Sequence, residues 1–276
     1  MIYQLEPGDY QKARSLFQPL DYQLIIRAVL EGTSPGSVHV DDIDDPRSAL
    51  LCSAEGCFLA GDETISAFNL ALRDLLVRKF FAGNASSGAD EEMVFTVQPD
   101  GWIARFRVLF EGRQPRQVPR KHCACSEVKI DWRARIPNGY SLQRIDREFL
   151  CRAKRDVPSH IPSWMQANWG SIDAFMERGF GYGMIHDGAV VSWSLADCVS
   201  GTECEIGIRT RQDYRRRGLA TLTAAANVAR ALSHGFTRVG WHTNEENIAS
   251  VRVAEKVGFI ESRDYVWHVV GSSMNV

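Results

Sequence analysis

Apolar positions recur along this chain with two periods, and the alternation between them sets out its elements. Ile65, Phe68, Leu72, Leu75, Leu76 and Phe80 lie at the spacing that gathers side chains on one helix face. Leu24, Ile25, Ala28 and Val29 suggest a shorter helix that ends near Gly32, and residues 38–43 and 49–60 suggest short strands. The pattern is clearer further on. Strands are predicted over 140–145, 180–186, 189–196 and 203–209, with helices over 147–155 and 171–178. Asp187-Gly188 between two of these strands is a strong hairpin signal, and Val191, Trp193 and Leu195 then share one face. Leu219, Leu222, Ala226, Ala229 and Leu232 form a helical stripe closed by Gly235. Val239, Trp241 and Thr243 alternate in the next strand. Asn247 caps a helix that Gly258 ends, and a last strand is predicted over 265–270. The stretch 112–139 holds Pro115, Pro119, Pro137 and an Asn138-Gly139 turn around a strand over 117–128. It divides the chain into an expected α/β domain over 1–130 and a second over 138–276.

The most informative segment runs from Glu203 to Ala220: a strand, a basic glycine-containing turn, then the start of the long helix. A helix start carries unpartnered N–H groups and the positive end of the helix dipole, which suits phosphate. Arg215, Arg216 and Arg217 stand there, and Gly218 lets a ligand approach the backbone. A phosphorylated ligand is expected to dock at this turn. The first half has a similar order, a strand over 57–60 entering a glycine turn. That turn reads Gly61-Asp62-Glu63, acidic where a pyrophosphate needs cations. If the first half is a diverged copy of the second, it has lost this site.

Composition narrows the class of protein. Hydrophobic content of 45% and charged content of 24% are those of a globular chain, and a formal charge of −2 argues against a general nucleic-acid coat. No apolar run approaches the roughly 20 residues needed to cross a bilayer. The first residues lack a basic region followed by an apolar core, so no signal peptide and a cytoplasmic location are expected. The seven cysteines are irregularly spaced and are expected to be reduced. His122-Cys123-Ala-Cys125 lacks a matching second ligand pair, so no metal is expected.

Arg215-x-x-Gly218-x-Ala220 resembles the acetyl-CoA signature of the GCN5-related N-acetyltransferase (GNAT) superfamily. Asn247-x-x-Ser250 followed by Ala254-Glu-Lys-Val-Gly-Phe259 is similar to a second segment of that family. The stretches 38–46, 56–61 and 203–226 resemble a bacterial subgroup that includes zwittermicin A resistance acetyltransferases. The resemblance implies a GNAT fold, a central mixed sheet flanked by helices, over roughly 140–270. It also implies acetyl-CoA as cosubstrate and transfer of an acetyl group to a small-molecule amine by a monomer or homodimer. A protein or peptide acceptor, or a non-catalytic acyl-CoA sensor, are the alternatives.

Carried onto this chain, the N–H groups of Arg217, Gly218, Leu219 and Ala220 would hold the pyrophosphate, with Arg215 and Arg216 adding charge-assisted contacts. The backbone of Ile206, Gly207 and Ile208 would pair with the pantetheine arm, Gly207 permitting close approach, and Asn247 and Ser250 would face that arm. Many family members carry a tyrosine where this chain has Ala254, which leaves Tyr214 and Tyr265 as candidate general acids. The acceptor amine must lose a proton before it attacks, so a carboxylate base is expected. Glu203 and Glu205 share a strand face, and Glu205 is preferred. Cys204 points the other way and reads as core. Trp164, Trp169 and Trp193 are candidate walls of the acceptor pocket. His186 and His242 read more simply as hydrogen-bonded surface groups.

Overall fold

The computed structural model describes residues 1–82, 92–151 and 156–271, with side chains of 79–82 excepted. Two expectations fall partly outside them: the Phe80 side chain, and residues 152–155 of the helix expected over 147–155. The chain forms two compact units, Met1–Pro119 together with the segment from Val266 onward, and Arg120–Tyr265.

The first half runs β1 (Tyr3–Gln4), a 3₁₀ helix (Pro7–Leu20), α1 (Leu24–Leu30), β2 (Ser37–Val40), β3 (Ser48–Ser53), β4 (Gly56–Gly61), α2 (Ser66–Ala82), β5 (Glu92–Gln98) and α3 (Gly101–Leu109). The second continues with β6 (Arg116–Cys125), β7 (Tyr140–Arg144), α4 (Arg147–Cys151), α5 (His160–Trp169), α6 (Ile172–Arg178), β8 (Gly181–His186), β9 (Ala189–Ser200) and β10 (Glu203–Thr210). It closes with α7 (Leu219–Ser233), β11 (Arg238–Asn244), α8 (Ile248–Val257) and β12 (Ile260–Gly271).

In the first unit the strands lie in the order β1-β2-β3-β4-β5, with the end of β12 antiparallel beside β5. All pairs are antiparallel except β4 with β5, which the α2 crossover makes parallel. The predicted stripe on α2 buries Phe68, Leu72 and Leu76 against Phe95, Trp102 and Phe106. Fully burying a side chain of this size contributes about 1.5–3 kcal/mol. Phe95, Phe106 and Phe110 pack at centroid distances of 5.2–5.7 Å.

The second unit repeats this course. Its order is β7-β8-β9-β10-β11-β6, followed by the start of β12, and β10 and β11 are parallel, joined through α7. The β8–β9 turn has Asp187 at φ 48° and Gly188 at φ 78°, the doubly left-handed geometry that fits the twist of a two-residue hairpin. α7 ends where Gly235 takes φ 93°, in the predicted stop position.

Each sheet takes a strand from the other half of the sequence. β6, from Arg120 on, lies beside β11, while Val266–Gly271 lies beside β5. The linear division at 130–138 therefore differs from the boundaries in space, which fall between Pro119 and Arg120, inside β6, and between Tyr265 and Val266, inside β12. The cysteine expectation also needs correcting. Cys52 and Cys57 are cross-strand partners at the β3–β4 turn, with Cα atoms 4.2 Å apart, and are joined as a disulfide. The turn makes residues five apart in sequence direct neighbours. Cys123, Cys125, Cys151, Cys198 and Cys204 are free.

Candidate active site

The site begins where two parallel strands part. β10 and β11 pair only at Glu203–Arg238, Cys204–Val239 and Glu205–Gly240. Beyond that point β10 continues to Thr210 and β11 to Asn244 without a shared ladder, opening a V between them. The β9–β10 register shifts at the same place. Glu205 opposes Cys198 and Ile206 opposes Ala196, so Asp197 is the extra residue of a bulge. Bulges of this kind re-aim side chains beside functional sites. Where β10 has left β11, its outward N–H and C=O groups can pair with an extended polar ligand as a sheet edge would.

A cleft of about 520 Å³ lies at the end of the V. Of the residues singled out in the sequence, Ile208, Arg215, Arg216, Gly218, Leu219, Ala220, Asn247 and Ser250 line it. Tyr214, a candidate general acid, lines it too, as do Arg209, Arg252 and Lys256, which the sequence reading had not assigned to the ligand site. Five lining residues are cationic and no carboxylate stands among the described ones. The loop reaches this geometry through two left-handed residues, Arg216 at φ 62° and Gly218 at φ 77°. α7 then begins without a side-chain cap and with no acidic residue in its first turn. Its first amides stay open toward the cleft wall, together with the positive end of the dipole. Asn247 caps α8 by accepting from Ser250 N at 3.1 Å, and Ser250 Oγ accepts from Trp241 Nε1 at 3.0 Å, which fixes that wall.

Three of the expected positions have partners outside the cleft. Arg217 turns its guanidinium away, to Tyr140 Oη at 3.3 Å, Asp213 O at 2.9 Å and the Tyr214 ring. Its side chain is not part of the cleft lining, which leaves only its backbone near the loop. Ile206 lies in the core, and Gly207 has a different reason for being glycine. A Cβ there would collide with the Trp164 indole, so the missing side chain makes room for Trp164.

At the apex of the V the register gathers residues from neighbouring strands on one sheet face. Glu205 lies opposite Gly240, and His242, two residues on, lies opposite His122. A Cβ on Gly240 would come within 2.7 Å of Glu205 Cγ, so this glycine admits the carboxylate. Glu205 is 5% exposed. Its Oε1 lies 2.9 Å from His242 Nε2, and Cys198 Sγ donates to Oε2 at 3.5 Å. His242 Nδ1 lies 2.9 Å from Tyr265 Oη, which accepts from Arg120 Nε at 3.2 Å. These directions form one chain: Arg120 to Tyr265, Tyr265 to His242, His242 to Glu205. A neutral imidazole with its proton on Nε2 satisfies every step. The sequence placed Glu205 but rated His242 a surface group, because nothing local shows which strand it faces.

Glu203 lies 4.0 Å from Arg238, a partly exposed ion pair away from this network. Cys204 is buried in the core, and burial pushes its thiol far above the usual range, which removes it as a nucleophile. Trp169 is core, its Nε1 donating to Ala196 O at 3.0 Å, and Trp193 is equally buried. Neither lines an open pocket. Trp164 is the one of the three that is partly exposed; it donates to Asp197 Oδ1 at 2.5 Å. The indole, the bulged carboxylate and Glu205 all belong to the same side of β10.

A model of the GNAT acetyltransferase family matches residues 14–268. An uncharacterized N-acetyltransferase of Bacillus subtilis, YdfB, is 23% identical over 274 residues, covering 98% of this chain and 99% of the relative. A GCN5-related N-acetyltransferase-like protein from Streptococcus suis superposes with a TM-score of 0.69 at 23% identity, covering 95% of this chain and 98% of its own. A tandem GNAT protein from the clavulanic acid biosynthesis pathway superposes at 0.57 and 13% identity, covering 100% and 99%. These likenesses fit two α/β units, each with a mixed sheet flanked by helices. With the family model spanning most of its length, this chain belongs to the GNAT acetyltransferase family, acyltransferases that use acetyl-CoA as cosubstrate.

Proposed function

We propose that the second unit binds acetyl-CoA in the V and transfers its acetyl group directly to the amine of a small molecule. The observation that carries this reading is the coincidence of two features. The strands part at Glu205–Gly240, and the V so opened runs to a cationic helix start bare of internal anions. An extended arm along Ile206, Gly207 and Ile208, with its pyrophosphate at Gly218, Leu219 and Ala220, directs the acyl group toward Glu205. His242 and Glu205 take the proton of the incoming ammonium. The neutral amine then attacks the carbonyl carbon, a C–N bond forms, and the C–S bond breaks with departure of the thiolate. Ala254 is 1% exposed and carries no acid. Of the two candidate tyrosines, Tyr265 stands at the apex, bonded to His242 and Arg120, whereas Tyr214 lies with Arg215, Arg216 and Gly218 at the pyrophosphate end of the cleft, its hydroxyl 3.4 Å from His186 Nδ1.

What supports a small acceptor is the cover over β10. Trp164 lies against Gly207 with Asp197 at its indole nitrogen, an aromatic and acidic wall suited to a compact cation. The resemblance to zwittermicin A resistance acetyltransferases makes aminated natural products the first acceptors to try. Calorimetric titration of acetyl-CoA into wild type and Gly218→Glu, followed by thiol release across an amine panel, tests the reading. Binding by wild type alone and amine-dependent thiol release are expected. A folded wild type that does not bind acetyl-CoA would overturn it.

A further inference from the structure

The polar band at the apex holds more than a base. His122, Glu205 and His242 each offer one ligand atom, and these atoms all lie within 4.8 Å of one another. They come from three adjacent strands, β6, β10 and β11, so the sheet itself fixes their spacing. We propose that His122, Glu205 and His242 form a binding site for a divalent transition-metal ion, Zn²⁺ in the first instance, seated on the carboxylate assigned as the base.

Hydrogen bonding prepares both histidines for this role. Ser262 Oγ donates to the carbonyl of His122 at 3.2 Å and lies 2.7 Å from His122 Nδ1. A carbonyl can only accept, so the single hydroxyl proton goes there, and Oγ accepts from Nδ1–H. That leaves the lone pair on Nε2, the nitrogen that reaches toward Gly240 and Glu205. His242 is oriented by Tyr265 Oη, 2.9 Å from its Nδ1. Outer partners on the far nitrogen are what orient metal-ligating histidines. When a metal binds, the proton shared between His242 Nε2 and Glu205 moves to Nδ1, where Tyr265 Oη accepts it. No net proton need be released. Zinc bonds of about 2.0–2.2 Å place tetrahedral donors roughly 3.3 Å apart, a closure that side-chain rotation supplies. Two protein nitrogens and one carboxylate leave a coordination position open.

The consequence rests on the function proposed above: a metal there ties up Glu205 and His242, and zinc inhibits transfer without touching the coenzyme cleft. Metal-free full-length protein would be titrated with Zn²⁺ against a chromophoric indicator, and with Co²⁺ followed by its visible d–d absorption. One equivalent per chain is expected. His122→Gln should weaken binding at least ~100-fold and Ser262→Ala ~10-fold, as first and outer partners of a metal do. Cys151→Ser, at an exposed free thiol, should leave it unchanged. Wild type that binds no Zn²⁺, or binds it equally well after both His122→Gln and Ser262→Ala, overturns the site. Acetyl-CoA affinity measured on the same samples keeps the two readings apart, because no ligand residue lines the cleft. Zinc binding without acetyl-CoA binding sinks the transferase reading alone, and the reverse result sinks the metal site alone.

Discussion

Both units contain an antiparallel strand that enters a glycine turn, a crossover helix, and a parallel strand, and the cation-lined cleft described above lies in the second. In the first unit β4 and β5 stay paired from Cys57–Phe95 to Ala60–Gln98, the last residue of β5. The turn that follows is filled from within: Asp62 Oδ1 accepts from Thr64 N at 2.8 Å and from Thr64 Oγ1 at 2.6 Å, and Glu63 lies against Gly101. In the second unit the strands separate after Glu205, and α7 starts with no internal anion. The same topology therefore gives either a closed sheet or a binding edge. Two local features differ between them: where the parallel ladder ends, and whether acidic or basic side chains fill the turn before the helix.

The sharpest way to break this contrast is to give the second turn the chemistry of the first. Gly218→Glu adds a carboxylate beside the pyrophosphate position and a side chain at φ 77°. Acetyl-CoA affinity should fall more than ~100-fold by calorimetry, since a buried or close like-charge pair costs several kcal/mol. Glu205→Gln tests the apex next. It should lower kcat roughly 100-fold, the usual worth of a general base, and flatten the pH profile while leaving acetyl-CoA affinity within about twofold. Full activity across pH would remove Glu205 from the mechanism. Gly240→Ala crowds Glu205 Cγ without altering charge, and kcat should drop about tenfold with coenzyme binding intact, the scale of a small misplacement of reacting groups.

The remaining two predictions concern the first unit and should leave transfer untouched. Asp62→Ala removes the internal anion there, but with β4 and β5 still zipped no second coenzyme site should appear; calorimetry that finds two acetyl-CoA molecules per chain would contradict this. His268, 4% exposed and packed at 5.4 Å from the Phe106 ring, has its pKa lowered by burial, partly offset by Asp100. The unfolded chain then binds the proton more readily, so this contribution is complete above the unfolded value of about 6.5 and is lost as pH falls below it. Thermal unfolding of wild type should lose Tm between pH 7 and pH 5 more steeply than that of His268→Gln.

Much of the second unit was legible because its signals are local. The Asp187-Gly188 turn, the Gly235 stop, the Asn247 cap and the stripe on α7 each follow from a few neighbouring residues, and each is found. The cationic, glycine-bearing turn before α7 was legible for the same reason. Gly207 misled, since a glycine in a strand signals close approach without saying by what, and here the neighbour is Trp164 from a distant helix. Trp169 and Trp193 misled in the opposite way: an aromatic residue reads alike whether it walls a pocket or fills a core. The domain boundary failed because prolines mark a break in the chain, whereas the two sheets exchange their last strands.

By itself, then, the sequence determined the order of elements, the cationic helix start at Arg215, Arg216 and Gly218, and Glu205 as the preferred base. These depend on propensity, capping and charge within a few residues. Tertiary structure decided what surrounds Glu205. His242 stands 37 positions further along, and Ser262 lies 140 positions from the His122 it orients. Only the register of strands β6, β10, β11 and β12 brings such residues within hydrogen-bonding reach. Register is fixed by the packing of whole sheet faces, so no short stretch of the chain carries it.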